Sequence, residues 1–259
     1  MTSKEVVAIY VDAMNQAFKG IPQTDICRVV DLLFEAWQRD ASVFLMGNGG
    51  SASTASHFAC DLAKLTIVPG RKRFRVMGLT DNVPLVSAWT NDDGFASIFV
   101  EQLEPWFERG DVLIAISVHG GSGAGSSGAW SQNLGRAMSL ARERGGKTIG
   151  FSGFGGGALR EIADVCLTVP VDTEPLGTPL VESIHVALHH MICITLKLRI
   201  AEENGGEQLP CRSFSTRPTW ARSTDGCGAA WSMESRRTPR SCGRKACAIS
   251  RRGRRRSRD

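Results

Sequence analysis

Two helical stripes of apolar residues open the chain. Apolar side chains recur every three or four positions over residues 4–18, and again from residue 24 or 25 to residue 37. This spacing places them on one side of an α-helix, so each segment is expected to form an amphipathic helix. We therefore predict an N-terminal helical pair, of a kind that often packs against another subunit.

Short apolar runs alternate with helical segments over the following residues. Five runs have the length and composition of strands, and helical spacing fills most of the intervals between them. Alternating strands and helices favour a parallel sheet covered by helices on both faces, that is, a three-layer α/β sandwich. The predicted strands cover residues 43–46, 75–79, 111–117, 147–151 and 165–169. One predicted helix begins at Ser51, and the others cover residues 84–89, 95–106, 131–144, 158–163 and 179–202.

Two glycine-rich loops follow predicted strands. The first is Gly47-Asn48-Gly49-Gly50-Ser51, and the second occupies residues 118–128. A glycine turn between a strand and a helix suits an anion, because the backbone can approach the ligand and the helix N-terminus faces it. The spacing fits neither a dinucleotide fingerprint nor a Walker loop. Both loops leave the carboxyl ends of strands, so we expect them to face one crevice.

A histidine and a carboxylate lie on the helix that follows the first loop. His57 and Asp61 are four residues apart, which places both side chains on one face. The last helix carries His185, His189 and His190, of which at most two can face the crevice. A polar break is predicted at residues 90–94.

Charge divides the chain near residue 205. From there onward the chain has fourteen Lys and Arg residues and only four Asp and Glu residues. The preceding part has a net negative charge, although the net charge of the whole chain is +5. Helical and strand periodicity also ends there. We predict a folded domain over residues 1–204 and a disordered basic tail over residues 205–259. A nucleic-acid-binding role of the tail is the less favoured alternative.

The cysteines and the N-terminus bear on the compartment. Cys27, Cys60, Cys166 and Cys193 are scattered through apolar segments, which favours reduced thiols in a cytoplasmic protein over disulfides. The first residues do not have the pattern of a signal peptide, and no run of eighteen apolar residues predicts a membrane span.

Four motifs in order give a resemblance to a known family. These motifs resemble those of the sugar isomerase (SIS) domain. In chain order they are the segment Gly47–Ala52 followed by His57, the pair Asn91-Asp92, the loop with Ser117, Gly120 and Ser122, and Glu182 with His185 and His190. Within the SIS family, they are most similar to the phosphoheptose isomerases. The resemblance covers residues 1–203 and none of the tail.

The resemblance implies roles for individual residues. Asp61 and His190 match the acid/base pair of the family. The residues at the positions of its zinc ligands are His57, Asp61, Glu182 and His190. One zinc ion is expected per subunit. The phosphate of the substrate is expected to be bound by Ser51, Ser117 and Ser122. Its hydroxyl groups are expected to be bound by Asn48, Gly49, Gly50, Asn91 and Asp92. His119 and Glu182 are also counted among the substrate-binding residues.

The implied reaction is an aldose–ketose isomerisation. Sedoheptulose 7-phosphate would become D-glycero-D-manno-heptose 7-phosphate through an enediol, as the first step of activated heptose synthesis for surface polysaccharide. Such a proton transfer needs a base and an acid near two neighbouring oxygens, and a carboxylate with an imidazole supplies both. A cytoplasmic homotetramer with a phosphosugar substrate is expected. The alternative is a non-catalytic SIS protein that binds phosphosugars or associates with the replication initiator.

The sequence departs from the family pattern at several positions. Asp61 stands where the family usually has Glu, Glu182 where it often has Gln, and His119 where it has a serine, while residues 123–130 resemble an insertion. We interpret these changes as a subfamily with a different or larger substrate, and loss of activity is the less favoured alternative.

Several of the matched residues also fit a purely structural role. Glu182 in a first helical turn can simply complement the helix dipole, and Ser51 can be only a cap. The pair Asn91-Asp92 can be a capping turn, and His119 can bind phosphate or only occupy its loop.

Overall fold

Five parallel strands form the centre of the computed structural model, which describes residues 1–121, 131–171 and 176–203. The strands are β1 (Ser42–Gly47), β2 (Arg75–Gly78), β3 (Val112–Ile116), β4 (Lys147–Gly153) and β5 (Val165–Val169). Their order in the sheet is β2-β1-β3-β4-β5, and every neighbouring pair is parallel. The predicted α/β class and five-stranded parallel sheet are confirmed.

Helices connect the strands and cover both faces of the sheet. The pair α1 (Ser3–Lys19) and α2 (Gln23–Gln38) precedes the sheet, as predicted. The remaining described helices follow in chain order, with a short 3₁₀ helix at Phe95–Ser97. They are α3 (Gly50–Lys64), α4 (Val83–Asp93), α5 (Val100–Leu103), α6 (Gln132–Glu143), α7 (Gly157–Ile162) and α8 (Gly177–Glu202).

Alternation along the central strands divides the core into two layers. In β1, Val43 and Leu45 face α2, α3 and α8, whereas Phe44 and Met46 face the layer of α5 and α6. All four side chains are buried, because a strand at the centre of a sheet covered on both faces has no solvent side. The result is the predicted three-layer sandwich.

The segment between β2 and β3 differs from the prediction. The expected polar break at residues 90–94 is wrong, because α4 continues through Asn91 and ends at Asp93. Gly94 follows as its cap, with a φ of 85° that is unfavourable for other residues. The expected helix over residues 95–106 is also wrong, because a 3₁₀ turn occupies Phe95–Ser97 and only Val100–Leu103, which is α5, is α-helical. Helical spacing alone did not separate these short turns from one regular helix.

The last helix, α8, is the longest described element. It has 26 residues with a mean hydropathy of 1.3 in its most apolar window, and by length and composition alone it could cross a membrane. Half of that window is buried in the protein, where Ile184, Leu188 and Ile192 pack in the same core layer as α2 and α3. The apolar character of α8 is therefore that of a core helix.

Several predicted features lie outside the described residues. Ser122, most of the second glycine loop and the basic tail belong to this part of the chain. The division at residue 204 and the absence of order in the tail stay predictions.

Candidate active site

The two glycine loops meet at one edge of the sheet. Gly47, the last residue of β1, pairs with Ile116, the last residue of β3, so the chain leaves both strands side by side. From β1 the chain continues to β2 on one side, and from β3 it continues to β4 on the other. A ligand crevice is expected at such a switch point, outside the carboxyl ends of the strands.

The first loop is shaped by close backbone contacts. A Cβ atom on Gly47 would lie 2.5 Å from the carbonyl oxygen of Ser51, so only glycine fits there. Gly49 has a φ of 57° and precedes α3, which begins at Gly50. Ser51 is buried in the first turn of this helix. The first N–H groups of α3 therefore lie at the crevice, where they can bind an anion.

Glu182 contacts this loop. Its carboxylate lies so close to Gly50 that a Cβ atom at that position would overlap Oε1. Gly50 starts α3, so the carboxylate lies at the positive end of the helix dipole. The structure thus brings Glu182 to the predicted substrate loop.

The second loop packs against the loop that follows β4. The backbone N–H of Gly121 donates a 3.1 Å hydrogen bond to Ser117 Oγ. Gly120 has a φ of 72°, and a Cβ atom there would overlap the carbonyl oxygen of Gly156. The exposed ring of His119 stacks on Phe154 at a centroid distance of 4.5 Å. The second loop, with Ser117 and His119, is therefore held against the loop that follows β4.

A pair of amide side chains links the first loop to α6. Asn133 Nδ2 donates to Asn48 Oδ1 at 2.8 Å, and Asn48 Nδ2 donates to Asn133 Oδ1 at 3.1 Å. Ser131 Oγ lies 3.5 Å from Asn48 Nδ2. Asn133 is fully buried, so this contact fixes the orientation of Asn48. The sequence prediction missed Ser131 and Asn133; their polar side chains at the start of a helix, directly after the glycine-rich loop, were the available signal.

Three histidines and one carboxylate converge between α3 and α8. Asp61 Oδ2 lies 3.3 Å from His190 Nε2, 3.4 Å from His189 Nδ1 and 3.7 Å from His57 Nε2. The Nε2 atoms of His57 and His190 are 3.4 Å apart. The structure therefore brings together His57, Asp61 and His190 as the sequence predicted, and adds His189.

The interior of this cluster contains polar atoms without hydrogen-bond partners. Among the described residues, Asp61 Oδ2 and both ring nitrogens of His189 are buried without one. His57 and His190 are about half exposed, whereas His189 is completely buried. Burial, followed by the neighbouring histidines, lowers the pKa of His189 to about 3, so its ring is neutral at neutral pH.

This cluster fits a metal ion. One ligand atom from each of His57, Asp61, His189 and His190 lies within 4.8 Å of the others. Imidazole nitrogen and carboxylate oxygen are common ligands of zinc and related ions, and a cation would satisfy the unpartnered buried atoms. The cluster could therefore hold a metal ion with no change of residues.

His185 is turned away from the cluster. Its Nε2 lies 3.0 Å from the carbonyl oxygen of Ser152 on β4, and its ring is fully buried. Burial lowers the pKa of His185 to about 4, and the hydrogen bond to Ser152 opposes the shift only in part. His185 therefore joins α8 to the sheet.

Asn91 and Asp92 occupy the exposed last turn of α4. Asn91 Nδ2 donates to Asp92 Oδ1 at 2.7 Å, a contact within the pair. Their predicted role in binding sugar hydroxyl groups stays a prediction, as does the phosphate contact of Ser122.

Known proteins similar to this chain share its fold and most of its length. A model of the SIS domain matches residues 9–153. The chain is 36% identical to the phosphoheptose isomerase of Geotalea uraniireducens over 185 residues, which are 71% of this chain and 90% of that protein. The structure of phosphoheptose isomerase GmhA from Neisseria gonorrhoeae is similar with a TM-score of 0.63 and 27% identity, covering 75% of this chain and 98% of that one.

A relative with a different name has a higher identity. The lincomycin biosynthesis protein LmbN of Streptomyces lincolnensis is 53% identical over 163 residues, which are 63% of this chain. The match spans 58% of the length of LmbN. Taken together, the parallel sheet, the paired glycine loops and these similarities show that the chain belongs to the SIS domain family, among the proteins that resemble phosphoheptose isomerases.

Proposed function

We propose that this protein is a phosphosugar isomerase that converts sedoheptulose 7-phosphate into D-glycero-D-manno-heptose 7-phosphate. The observation that carries the proposal is the position of Asp61 and His190. Their side-chain atoms lie 3.3 Å apart on two helices, one of which begins at the first glycine loop. The relatives named phosphoheptose isomerases support the choice of substrate.

The chemistry requires one proton to move between neighbouring carbons. The Asp61 carboxylate removes a proton from C1 of the ketose and returns it to C2 of the enediol. His190 passes the accompanying proton between the two oxygens through Nδ1, because its Nε2 contacts the cluster, and the carbonyl group thereby moves from C2 to C1. The amides at the start of α3, with Ser51 and Ser117, hold the phosphate, and Asn48 and Glu182 hold hydroxyl groups. Zinc bound by the cluster would polarise the oxygens of the substrate.

The test compares two substitutions at the proposed acid/base pair. Asp61→Asn and His190→Ala are each expected to lower turnover of sedoheptulose 7-phosphate by about 100- to 10,000-fold in an assay coupled to aldose formation. Native oligomer size and circular dichroism control for folding. Retained turnover in both variants would contradict the mechanism. Tight phosphosugar binding by the unaltered protein without turnover would favour the non-catalytic alternative.

A second candidate is the same reaction on another phosphosugar. The higher identity to LmbN, named for lincomycin biosynthesis, favours it, as does His119 at a position where the family has serine. Assays with shorter and longer ketose phosphates decide between the two: the preferred substrate has the highest kcat/KM. The homotetramer, one zinc ion per subunit and a cytoplasmic location stay predictions.

A further inference from the structure

We propose that His189 is a metal ligand in this protein. The four ligands are then His57, Asp61, His189 and His190, and Glu182 is not one of them. The inference rests on the metal site of the proposed function and deepens it. It differs from the set implied by the family resemblance, in which Glu182 is the fourth ligand.

The spacing of the four ligand atoms carries the first argument. With zinc–ligand bonds of about 2.0–2.1 Å, the ligand atoms of a tetrahedral site are about 3.3 Å apart. Asp61 Oδ2 lies 3.3 Å from His190 Nε2, 3.4 Å from His189 Nδ1 and 3.7 Å from His57 Nε2. The two Nε2 atoms are 3.4 Å apart. These four distances are close to those of a tetrahedral site.

The environment of His189 carries the second argument. Its ring is fully buried, stacked on Phe58 at a centroid distance of 5.2 Å and packed edge-on against His57. Among the described residues, neither ring nitrogen has a hydrogen-bond partner. A buried polar nitrogen without a hydrogen-bond partner destabilises the fold. A metal ion bound to Nδ1 would remove this cost for the nitrogen nearest Asp61.

The position of Glu182 carries the third argument. Its carboxylate is packed against Gly50, which precedes His57 by seven residues, or about 10 Å along α3. The metal-binding group found among the described residues has His189 as its fourth member and does not include Glu182. The carboxylate instead lies at the N-terminus of α3, where the helix dipole favours it. Glu182 can therefore contact substrate without binding the metal.

Zinc affinity separates the two ligand sets. The full-length protein is stripped of metal, and its Kd for zinc is measured by competition with a chromophoric chelator, in the absence of substrate. His189→Leu is expected to weaken zinc binding by about 100-fold or more, and the matched control Glu182→Leu by less than about threefold. Leucine fills most of the buried volume of the ring, and circular dichroism checks that each variant is folded. Unchanged affinity in His189→Leu, or an equal loss in Glu182→Leu, would overturn the proposal.

X-ray absorption at the zinc edge distinguishes a ligand from a residue that only positions Asp61. The proposal expects three imidazoles per zinc in the unaltered protein and two in His189→Leu. Two imidazoles per zinc in the unaltered protein would overturn the proposal. This measurement on the unaltered protein does not depend on whether a variant folds. Isomerase turnover is recorded separately, so a protein that binds zinc through His189 but does not turn over the substrate would contradict the proposed function and leave the ligand set intact.

Discussion

Acid should destabilise this protein partly through one buried histidine, His185. The ring is inaccessible to solvent and its Nε2 donates to the carbonyl oxygen of Ser152, 3.0 Å away. Among the described residues, Nδ1 has no hydrogen-bond partner. Burial lowers the pKa of His185 from 6.5 to about 4. Protonation of the folded protein therefore places a charge in the core between α8 and the sheet.

The sign and size of the effect follow from proton linkage. The unfolded chain binds a proton at His185 below about pH 6.5, whereas the folded chain binds one only near pH 4. The stabilisation is thus fully present above pH 6.5 and is lost as the pH falls towards 4. A pKa difference of about 2.5 units corresponds to about 3 kcal/mol, most of which is lost by pH 4.5.

The assay is urea unfolding of the unaltered protein and His185→Gln, followed by circular dichroism from pH 7.5 to 4.5 at one protein concentration. Glutamine keeps a donor near the position of Nε2 and does not titrate. The free energy of unfolding should fall by about 2–3 kcal/mol more in the unaltered protein than in the variant over this range. Parallel curves for the two proteins would refute the assigned cause. A variant that loses more stability in acid than the unaltered protein would refute the sign.

Three further predictions concern the loops and the tail. Asn133→Leu removes both hydrogen bonds to Asn48, and we expect KM to rise about tenfold with a smaller change in kcat, whereas unchanged kinetics would contradict a positioning role. Gly120→Ala places a Cβ atom onto the carbonyl oxygen of Gly156 at a positive φ, and should lower the free energy of unfolding by about 2–4 kcal/mol in urea titrations; an unchanged midpoint would refute this packing. Truncation after Glu203 should leave turnover and thermal midpoint unchanged, and a loss of turnover would assign a role to the tail.

Local pattern was sufficient for the strands, for most of the helices and for part of the site. Each strand needs only a short apolar run, and the helix after Gly49 needs only a glycine at its start and helical spacing, both of which are encoded in neighbouring residues. His57 and Asp61 share a face because they are four residues apart on one helix. The shared edge of the two glycine loops follows from a parallel sheet, in which all strands end on the same side.

The selection of residues on α8 was decided only by the tertiary structure. Successive residues of a helix point about 100° apart, so His185 and His189, four residues apart, share one face, and His190 points to another side. The apolar residues of α8 are distributed over all sides of the helix, and its sequence therefore does not indicate which side faces α3. Packing turned His189 and His190 towards Asp61, His185 towards Ser152, and Glu182 towards Gly50. The rotation of a buried helix about its own axis depends on contacts with distant parts of the chain, so a local pattern cannot determine it.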